Sequence, residues 1–465
     1  MLRYFRINDP YRLVSLLVIM TMLSLPIFID TPPLTYPELK SFVIGEKVSE
    51  GHALYSELLD STPPLAAWIY GLFDMVFGRT LTMRHIFAFL ILLSQSAFLG
   101  IMLIDKKVFS ENTYLPSLLF SLLAFISFDS LSLSADLLAF GFILLTLNNL
   151  FKEIEFRIQR DETIFNLGLF ISLATLLSFS YIIYLPGVII ILGIFTRTTF
   201  RKYLLMTFGF LLPHLFLVCA YYLSDNLGAL WQYFYLANLG FSLQRLMSTS
   251  SLLILCAMPL IYLFISLFIL NRDARLTKYQ SQIFQAMFLW FVVALIQVFF
   301  AEDRRPQSLI PLLPSVSFFL THFLLLIRRR KFAEFHLLIL LIGIVTIAYL
   351  SRYNKIDRIQ YDPLIVKEGA TITGKRILVL DHQPDLFAHN QLATSFYEWD
   401  LSKSVFEQPD YYEHVLLVNR SFENDLPEVI IDPKNLMMGF FDKIPALQAK
   451  YEQSPEGYRL KKISN

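Results

Sequence analysis

Residues 86–104 read IFAFLILLSQSAFLGIMLI, nineteen positions without a charged side chain. At about 1.5 Å per residue, a helix of that length crosses the roughly 30 Å hydrocarbon core of a bilayer. Comparable apolar runs occupy 12–29, 114–131, 134–151, 165–181, 182–196, 203–223, 250–270, 283–300, 307–327 and 333–350, which makes about eleven candidate spans. Composition agrees: the 465 residues are 55% hydrophobic and only 17% charged, where soluble domains carry about 25% charged residues. A single water-soluble core is thereby excluded, and a polytopic α-helical membrane protein is expected. A net charge of +1, with no patch of interleaved basic and aromatic residues, gives no footing for nucleic acid. Cys219 and Cys256 both sit in apolar runs, where a thiol behaves as a small hydrophobe, so neither a disulfide framework nor a cysteine metal site is expected.

Lysine and arginine in short loops set the orientation. One set of loops holds Arg3, Arg6 and Arg12; Lys106 and Lys107; Lys152, Arg157 and Arg160; Arg197, Arg201 and Lys202; Arg272, Arg275 and Lys278; and Arg328 to Lys331. The alternate loops are poorer, with Arg245 in one and Arg304 and Arg305 in another. The N-terminus is therefore expected in the cytoplasm and, with an odd span count, the C-terminus outside. The run 12–29 lacks a small-residue cleavage site after it and reads as an uncleaved anchor.

Two parts lie outside the spans. Between Asp30 and Arg84 an outer loop contains 63-PPLAAWIYGLFDMVFG-78, whose length suits an interfacial or re-entrant helix. From 352 to 465 polar residues return, and a small extracytoplasmic α/β domain is expected beside a membrane domain of 1–351 that includes the acidic loop. Its predicted strands are 377–380, 413–419 and 428–431, and its predicted helices 384–397 and 435–451.

The outer loop collects Asp30, Glu38, Glu46, Glu50, Glu57, Asp60 and Asp74 within one short segment. Carboxylates at a membrane face suit a reaction on a lipid-linked substrate whose head group stands just outside the bilayer; the competing reading is a solvated acidic loop. The order of features resembles the C-type (GT-C) superfamily of membrane glycosyltransferases, in the branch of protein O-mannosyltransferases and lipid A aminoarabinose transferases. The residues that carry the resemblance are Tyr36-Pro37-Glu38, Glu50-Gly51-His52-Ala53-Leu54-Tyr55, Glu57 and Asp60, Pro63-Pro64-Leu65, Phe77-Gly78 and Arg84. Further along it is carried by Asp136 at the head of the fourth span, 302-EDRRPQSLIPLLPS-315, and in the tail 427-PEVIIDP-433 and Tyr451. The resemblance implies a GT-C-like fold over essentially the whole chain, and transfer of a sugar from a polyprenyl-phosphate donor to a lipid or glycan acceptor at the outer face of a membrane, expected to be the bacterial inner membrane.

One departure stands in the site itself: where the family places Asp-Glu, this chain has Pro37-Glu38. The family's first acid is its catalytic carboxylate, so the resemblance implies that Glu38, or the upstream Asp30 at the end of the first span, takes the acceptor proton. Transfer also needs cations for the departing phosphate. Arg84, Arg304 and Arg305 are candidates, since arginine offers bidentate hydrogen bonds and stays charged; the alternative for the last two is pairing with Glu302 and Asp303. Glu57, Asp60, Asp136 and Arg245 are the further candidates for substrate contact. His52 lacks a partner histidine at ligand spacing, so no metal ligand set is assigned, although a divalent ion remains an open cofactor. The stretch 224–249, with Trp231, Gln232, Tyr233, Tyr235, Asn238 and Gln244, reads either as a sugar-stacking surface or as an interfacial aromatic belt. Two rivals compete with a transferase. A secondary transporter would show symmetric broken spans, of which only the break at Pro186-Gly187 is present. A non-catalytic GT-C-like scaffold of an envelope assembly system would keep the fold and lose the acids.

Overall fold

The computed structural model describes residues 1–155, 160–240, 245–273, 276–367, 369 and 372–461. Arg157, Gln244, Arg275 and the C-terminal Asn465, all of which bear on the expectations above, lie outside the described residues. The chain forms two compact units. The first comprises Met1–Pro33, Thr80–Leu217 and Leu243–Leu364; the second comprises Leu34–Arg79, Val218–Ser242 and the chain from Ile365 onward. Hydropathy alone suggests a cut at 351, whereas packing groups the loop 34–79 and the segment 218–242 with the tail.

The first unit is helical. Among the described residues seven helices are long and apolar enough to cross a membrane, Tyr11–Ile29, Leu81–Asp105, Ala135–Glu155, Phe200–Leu223, Lys278–Phe299, Pro306–Leu326 and Arg330–Arg352, and all but the last residues of Phe200–Leu223 belong to this unit. A further pair, Thr249–Leu255 and Ala257–Arg272, passes the same test together but bends by 67° at Cys256. Leu115–Ala124 and Phe179–Phe195 are shorter apolar helices. Helix Leu115–Ala124 is buried along its whole length and helix Leu313–Leu326 in all but its last two residues, and they form the centre of the unit. The outer helices expose rows of large apolar side chains such as Phe264, Phe268, Phe335, Leu338 and Ile342, as a surface solvated by lipid would.

Small residues set the helix spacing. A Cβ on Gly168 would stand 1.9 Å from the Met206 carbonyl oxygen, and one on Gly209 would stand 2.3 Å from that of Phe165. Backbones of Asp161–Leu177 and Phe200–Leu223 therefore touch at two reciprocal glycines, the close approach by which helices associate where hydrophobic burial gives no drive.

In the second unit, helix Tyr36–Ser49 packs on helix Pro64–Phe77, with Gly45 against the Tyr70 carbonyl and Gly71 against Val48. The tail forms a five-stranded sheet in the order β2-β1-β3-β5-β4, with β1 at Arg376–Val379, β2 at Gln391–Leu392, β3 at Val429–Ile431, β4 at Tyr451–Ser454 and β5 at Gly457–Leu460. Strand β1 runs parallel to both β2 and β3, while β5 runs antiparallel to β3 and β4. Its core gathers Leu378, Ile430, Phe396, Phe406, Phe422 and Phe440. Leu59 joins that core, and its N–H donates to the Ser395 carbonyl at 2.9 Å. Ion pairs Lys47–Asp425 at 2.5 Å and Arg79–Glu46 at 2.5 Å also lie within this unit.

Three local expectations are corrected. Residues 413–419 lie in helix Tyr412–Asn424, which buries Val418, Ser421 and Phe422 at helical spacing and begins just after Pro409; the four-residue apolar run VLLV hides that period. Residues 384–397 do not form a helix. After one 3-10 turn at Pro384–Ala388, the buried Asn390 side chain donates to the Ile372 and Leu386 carbonyls, and the chain turns into β2. Residues 435–451 hold only two short helices, Met438–Phe441 and Pro445–Gln448, because Pro445 lacks the N–H to continue the first.

Candidate functional site

In the first unit the chemistry gathers where two 3-10 turns meet. Ser127 Oγ accepts the Asp129 N–H and opens the turn Phe128–Leu131, so that the Asp129 carboxylate points inward. The second turn, Pro306–Leu312, follows Arg305. Arg305 Nη1 donates to Asp129 Oδ1 at 2.9 Å and the Gln307 N–H donates to Asp129 Oδ2 at 2.9 Å. Gln307 Nε2 completes the link by donating to the Ser132 carbonyl at 2.6 Å. The side chains of Arg305 and Asp129 are at most 2% exposed, so this is a fully desolvated pair, strong because both carboxylate oxygens are occupied. Asp136, at the head of helix Ala135–Glu155, lies within electrostatic reach of Arg305, Glu302 and Asp129.

Arg304 is placed differently. Its guanidinium reaches Thr249 Oγ1 at 3.5 Å and the Phe299 carbonyl at 3.3 Å, and stands 5.1 Å from the centre of the Phe299 ring. It lines a cavity of about 550 Å³ whose walls include Leu252, Leu263, Leu295, Leu313 and Val316, with Thr249 beside the guanidinium. Both halves of the bent helix pair contribute to these walls, as do Lys278–Phe299 and Leu313–Leu326. Among the lining residues Arg304 is the one charged side chain. The volume falls in the range of sites that hold small molecules and cofactors, about 300–1,000 Å³.

Asp30 also belongs to the first unit. Its carboxylate stands 3.3 Å from Arg352 Nη2 and accepts the Tyr353 hydroxyl at 3.1 Å. Arg84 is buried in the first turn of helix Leu81–Asp105, and Arg245 is exposed.

In the second unit Glu38 is the third residue of helix Tyr36–Ser49, and its Oε2 accepts both the N–H (3.1 Å) and the hydroxyl (2.8 Å) of Thr35. This is a capping box, so the buried acid that the family resemblance points to also holds its own helix start. Glu57 accepts the Ala53 N–H at 2.9 Å and lies 3.8 Å from His52, holding the local turn. Asp60 is fully buried. Its Oδ1 accepts the Thr62 N–H at 2.6 Å, Lys40 Nζ stands 3.6 Å from its Oδ2, and burial, more than the nearby Lys40 can offset, pushes its carboxyl up to about 6. Glu398 shares the cluster, accepting the Ser61 N–H and hydroxyl. Beside it Tyr55, held at a φ of 71°, stacks on Phe234 and donates to the Thr62 carbonyl. Residues Leu230–Leu236 form one turn of π-helix, in which Trp231 is exposed and packs against Tyr235; such turns recur at functional sites.

The structure thus brings together Asp129, Asp136, Arg304 and Arg305 in the first unit, and Asp60 with Lys40 and Glu398 in the second. Sequence reasoning passed over Lys40, Arg352 and Glu398. Arg352 carried the available signal, a cation at the end of the last span. Lys40 and Glu398 carried none, since 358 residues separate them in the chain. Among the described residues no group of three or more His, Cys, Asp or Glu side chains is placed to hold a metal ion.

The fold is that of a polytopic helical membrane protein. It is similar to that of crystal structures of ArnT from Cupriavidus metallidurans. In the structure bound to undecaprenyl phosphate the TM-score is 0.57 at 11% identity, over 86% of this chain and 89% of that one. In the apo state the TM-score is 0.54 at 12% identity, over 85% and 88%. At such identities the likeness is one of fold. No family profile and no curated protein matches the sequence.

Proposed function

We propose that this protein is a membrane glycosyltransferase that moves a sugar from a polyprenyl-phosphate donor to a hydroxyl of a lipid or glycan acceptor. The observation that carries the reading is the apolar cavity of the first unit with a single guanidinium, Arg304, in its wall. An isoprenoid chain is apolar and branched, and suits leucine and valine walls; its one phosphate needs one fixed cation where the dielectric is low. The ArnT structure bound to undecaprenyl phosphate supports that choice of ligand. In the reaction the acceptor oxygen bonds to the anomeric carbon, the bond from that carbon to phosphate breaks, and the acceptor proton passes to a carboxylate. Arg304 holds the departing phosphate, with Arg305 fixing the turn beside it through Asp129.

Glu38 is the first choice of carboxylate and Asp30 the second. Thr35 holds Glu38 by one oxygen, which orients it as a base must be oriented. Arg84, Arg245, Asp136, Glu57 and Asp60 are assigned to substrate contact or to its surroundings. The site faces outward in this reading, with the N-terminus cytoplasmic, the C-terminus extracytoplasmic and the protein in a bacterial inner membrane. A second reading, the non-catalytic scaffold, is favoured by Pro37 in place of the family's first acid and by the capping role of Glu38.

A photoactivatable undecaprenyl phosphate, cross-linked to the purified protein in nanodiscs, tests the lipid site. Labelled peptides should contain Leu263, Leu295 or Leu313, and Arg304→Gln should weaken labelling about tenfold or more, the scale of a charge-assisted contact. Labelling spread over the lipid-facing surface and indifferent to Arg304 would refute the assignment.

A further inference from the structure

The tail sheet contains a crevice that the transfer reaction does not use. Strands β1 and β3 lie side by side and parallel, yet their onward connections part. From β1 the chain goes to β2 on one side, and from β3 it goes to the β4–β5 pair on the other. In open sheets, neighbouring parallel strands whose connections leave in opposite directions open a crevice beyond their carboxyl ends, and ligands bind there. Here the exit of β1 supplies Gln383, the exit of β3 supplies Asn435, and the β4–β5 turn supplies Gln453 and Ser454 as a third wall. Together they bound a cleft of about 550 Å³ floored by Ile372, Leu386 and Ile431. The β4–β5 turn is held close by Gly457, whose φ is 140° and where a Cβ would stand 2.3 Å from the Ile430 carbonyl oxygen.

The polar groups of this cleft are of one kind. Gln383, Asn435 and Gln453 are exposed, and their carboxamides make no hydrogen bond within the described protein, each leaving a donor and an acceptor on offer. Ser454 Oγ is shut off from water and likewise lacks a hydrogen-bond partner among the described residues. No lysine or arginine lines the cleft. Lys434, next to it in sequence, pairs with Asp381 at 3.7 Å. The Asp432 carboxylate is already engaged, accepting the N–H groups of Leu436 and Met437 at 2.9 and 2.8 Å to shape the β3 exit. With no cation in the walls, and with Asp432 and Glu456 bringing negative charge, the cleft disfavours anions.

From this juxtaposition of the strand exits and three free carboxamides we infer a saccharide-binding site at the carboxyl ends of β1 and β3. Vicinal hydroxyls pair with a carboxamide through one donated and one accepted hydrogen bond, and the apolar floor receives the C–H face of a pyranose ring. The inference stands on the tail alone and holds whether or not the first unit transfers sugar.

Saturation-transfer difference NMR on the full-length protein in nanodiscs tests it, with glucose, mannose and N-acetylglucosamine as millimolar probes and inorganic phosphate and methylamine as competitors. At least one of the three sugars should receive saturation and should not be displaced by phosphate or methylamine. The variant Asn435→Leu/Gln453→Leu replaces exposed side chains and should weaken that sugar about tenfold, as expected for the loss of two hydrogen bonds. Unchanged thermal unfolding of the variant shows that the fold is kept; if it does unfold, the single variant Asn435→Ser takes its place. The inference is overturned if none of the three sugars is saturated, if the variant binds the sugar equally well, or if phosphate or methylamine displaces it.

Discussion

Asp60→Asn should stabilise the protein near neutral pH and leave it unchanged in acid. Burial raises the Asp60 carboxyl from 3.8 to about 6 despite Lys40 at 3.6 Å. A folded value above the unfolded one means that the folded state binds the proton more tightly between the two. Stability is therefore highest below about pH 4, falls as pH rises through about 6, and levels off above it. Two pKa units at about 1.4 kcal/mol each give an ionisation penalty on the order of 3 kcal/mol at about pH 7.5. Asparagine keeps the acceptor for the Thr62 N–H and removes the penalty. The assay is thermal unfolding of wild type and variant in nanodiscs at about pH 4.5 and pH 7.5, with hydrogen exchange over 54–62 locating the effect. The difference between the two proteins should open as pH rises, in the variant's favour, and carbon-13 NMR should place the Asp60 titration near 6. A variant less stable than wild type at about pH 7.5 would refute the reasoning, because it would mean that the Lys40–Asp60 attraction exceeds the desolvation of the carboxylate.

Glu38→Gln should retain the helix start, since glutamine serves in a capping box, while turnover falls by about 10²-fold or more; Glu38→Ala should lose the same turnover and in addition about 1 kcal/mol of stability. A matched Asp30→Asn variant that proves more damaging to turnover, with donor binding intact, would move the base to Asp30. Arg305→Met should cost about 3–5 kcal/mol by leaving Asp129 charged and buried, and Arg305→Met/Asp129→Leu should recover most of that in the same unfolding assay. Gly168→Ala should lower the thermal midpoint by separating Asp161–Leu177 from Phe200–Leu223, whereas Gly228→Ala, with open space around its Cβ, should not.

The parts legible in the sequence were those written in local pattern. Long apolar runs mark the helices, and each predicted span from 12–29 to 333–350 contains a helical segment, although among the described residues seven single helices are long and apolar enough to cross a membrane. Strands β1 and β3 were visible as short β-branched runs at 377–380 and 428–431. The hairpin of β4 and β5 was missed because its two strands are four residues each and partly polar. In the site, the signal for Arg304 and Arg305 is two adjacent arginines in a loop of the set expected to be poor in basic residues. Their different fates were not legible: the partner of Arg305 is Asp129, 176 residues away, and the cavity beside Arg304 is built from helices scattered along the chain. Thr35-x-x-Glu38 was a capping signal in plain view. The resemblance points to Glu38 as a base, and the geometry shows that one of its oxygens already has a structural task.

Product analysis with a panel of polyprenyl-phosphate sugars decides whether the protein transfers sugar. Purified protein in nanodiscs with an envelope lipid extract as acceptor should convert at least one donor to free polyprenyl phosphate and a glycosylated acceptor, and Glu38→Gln should slow the conversion by about 10²-fold or more while the lipid cross-link at Leu263 or Leu295 persists. If polyprenyl phosphate labels the cavity but no donor is consumed and no acceptor gains a sugar, the protein binds the lipid without transferring sugar and is not a glycosyltransferase.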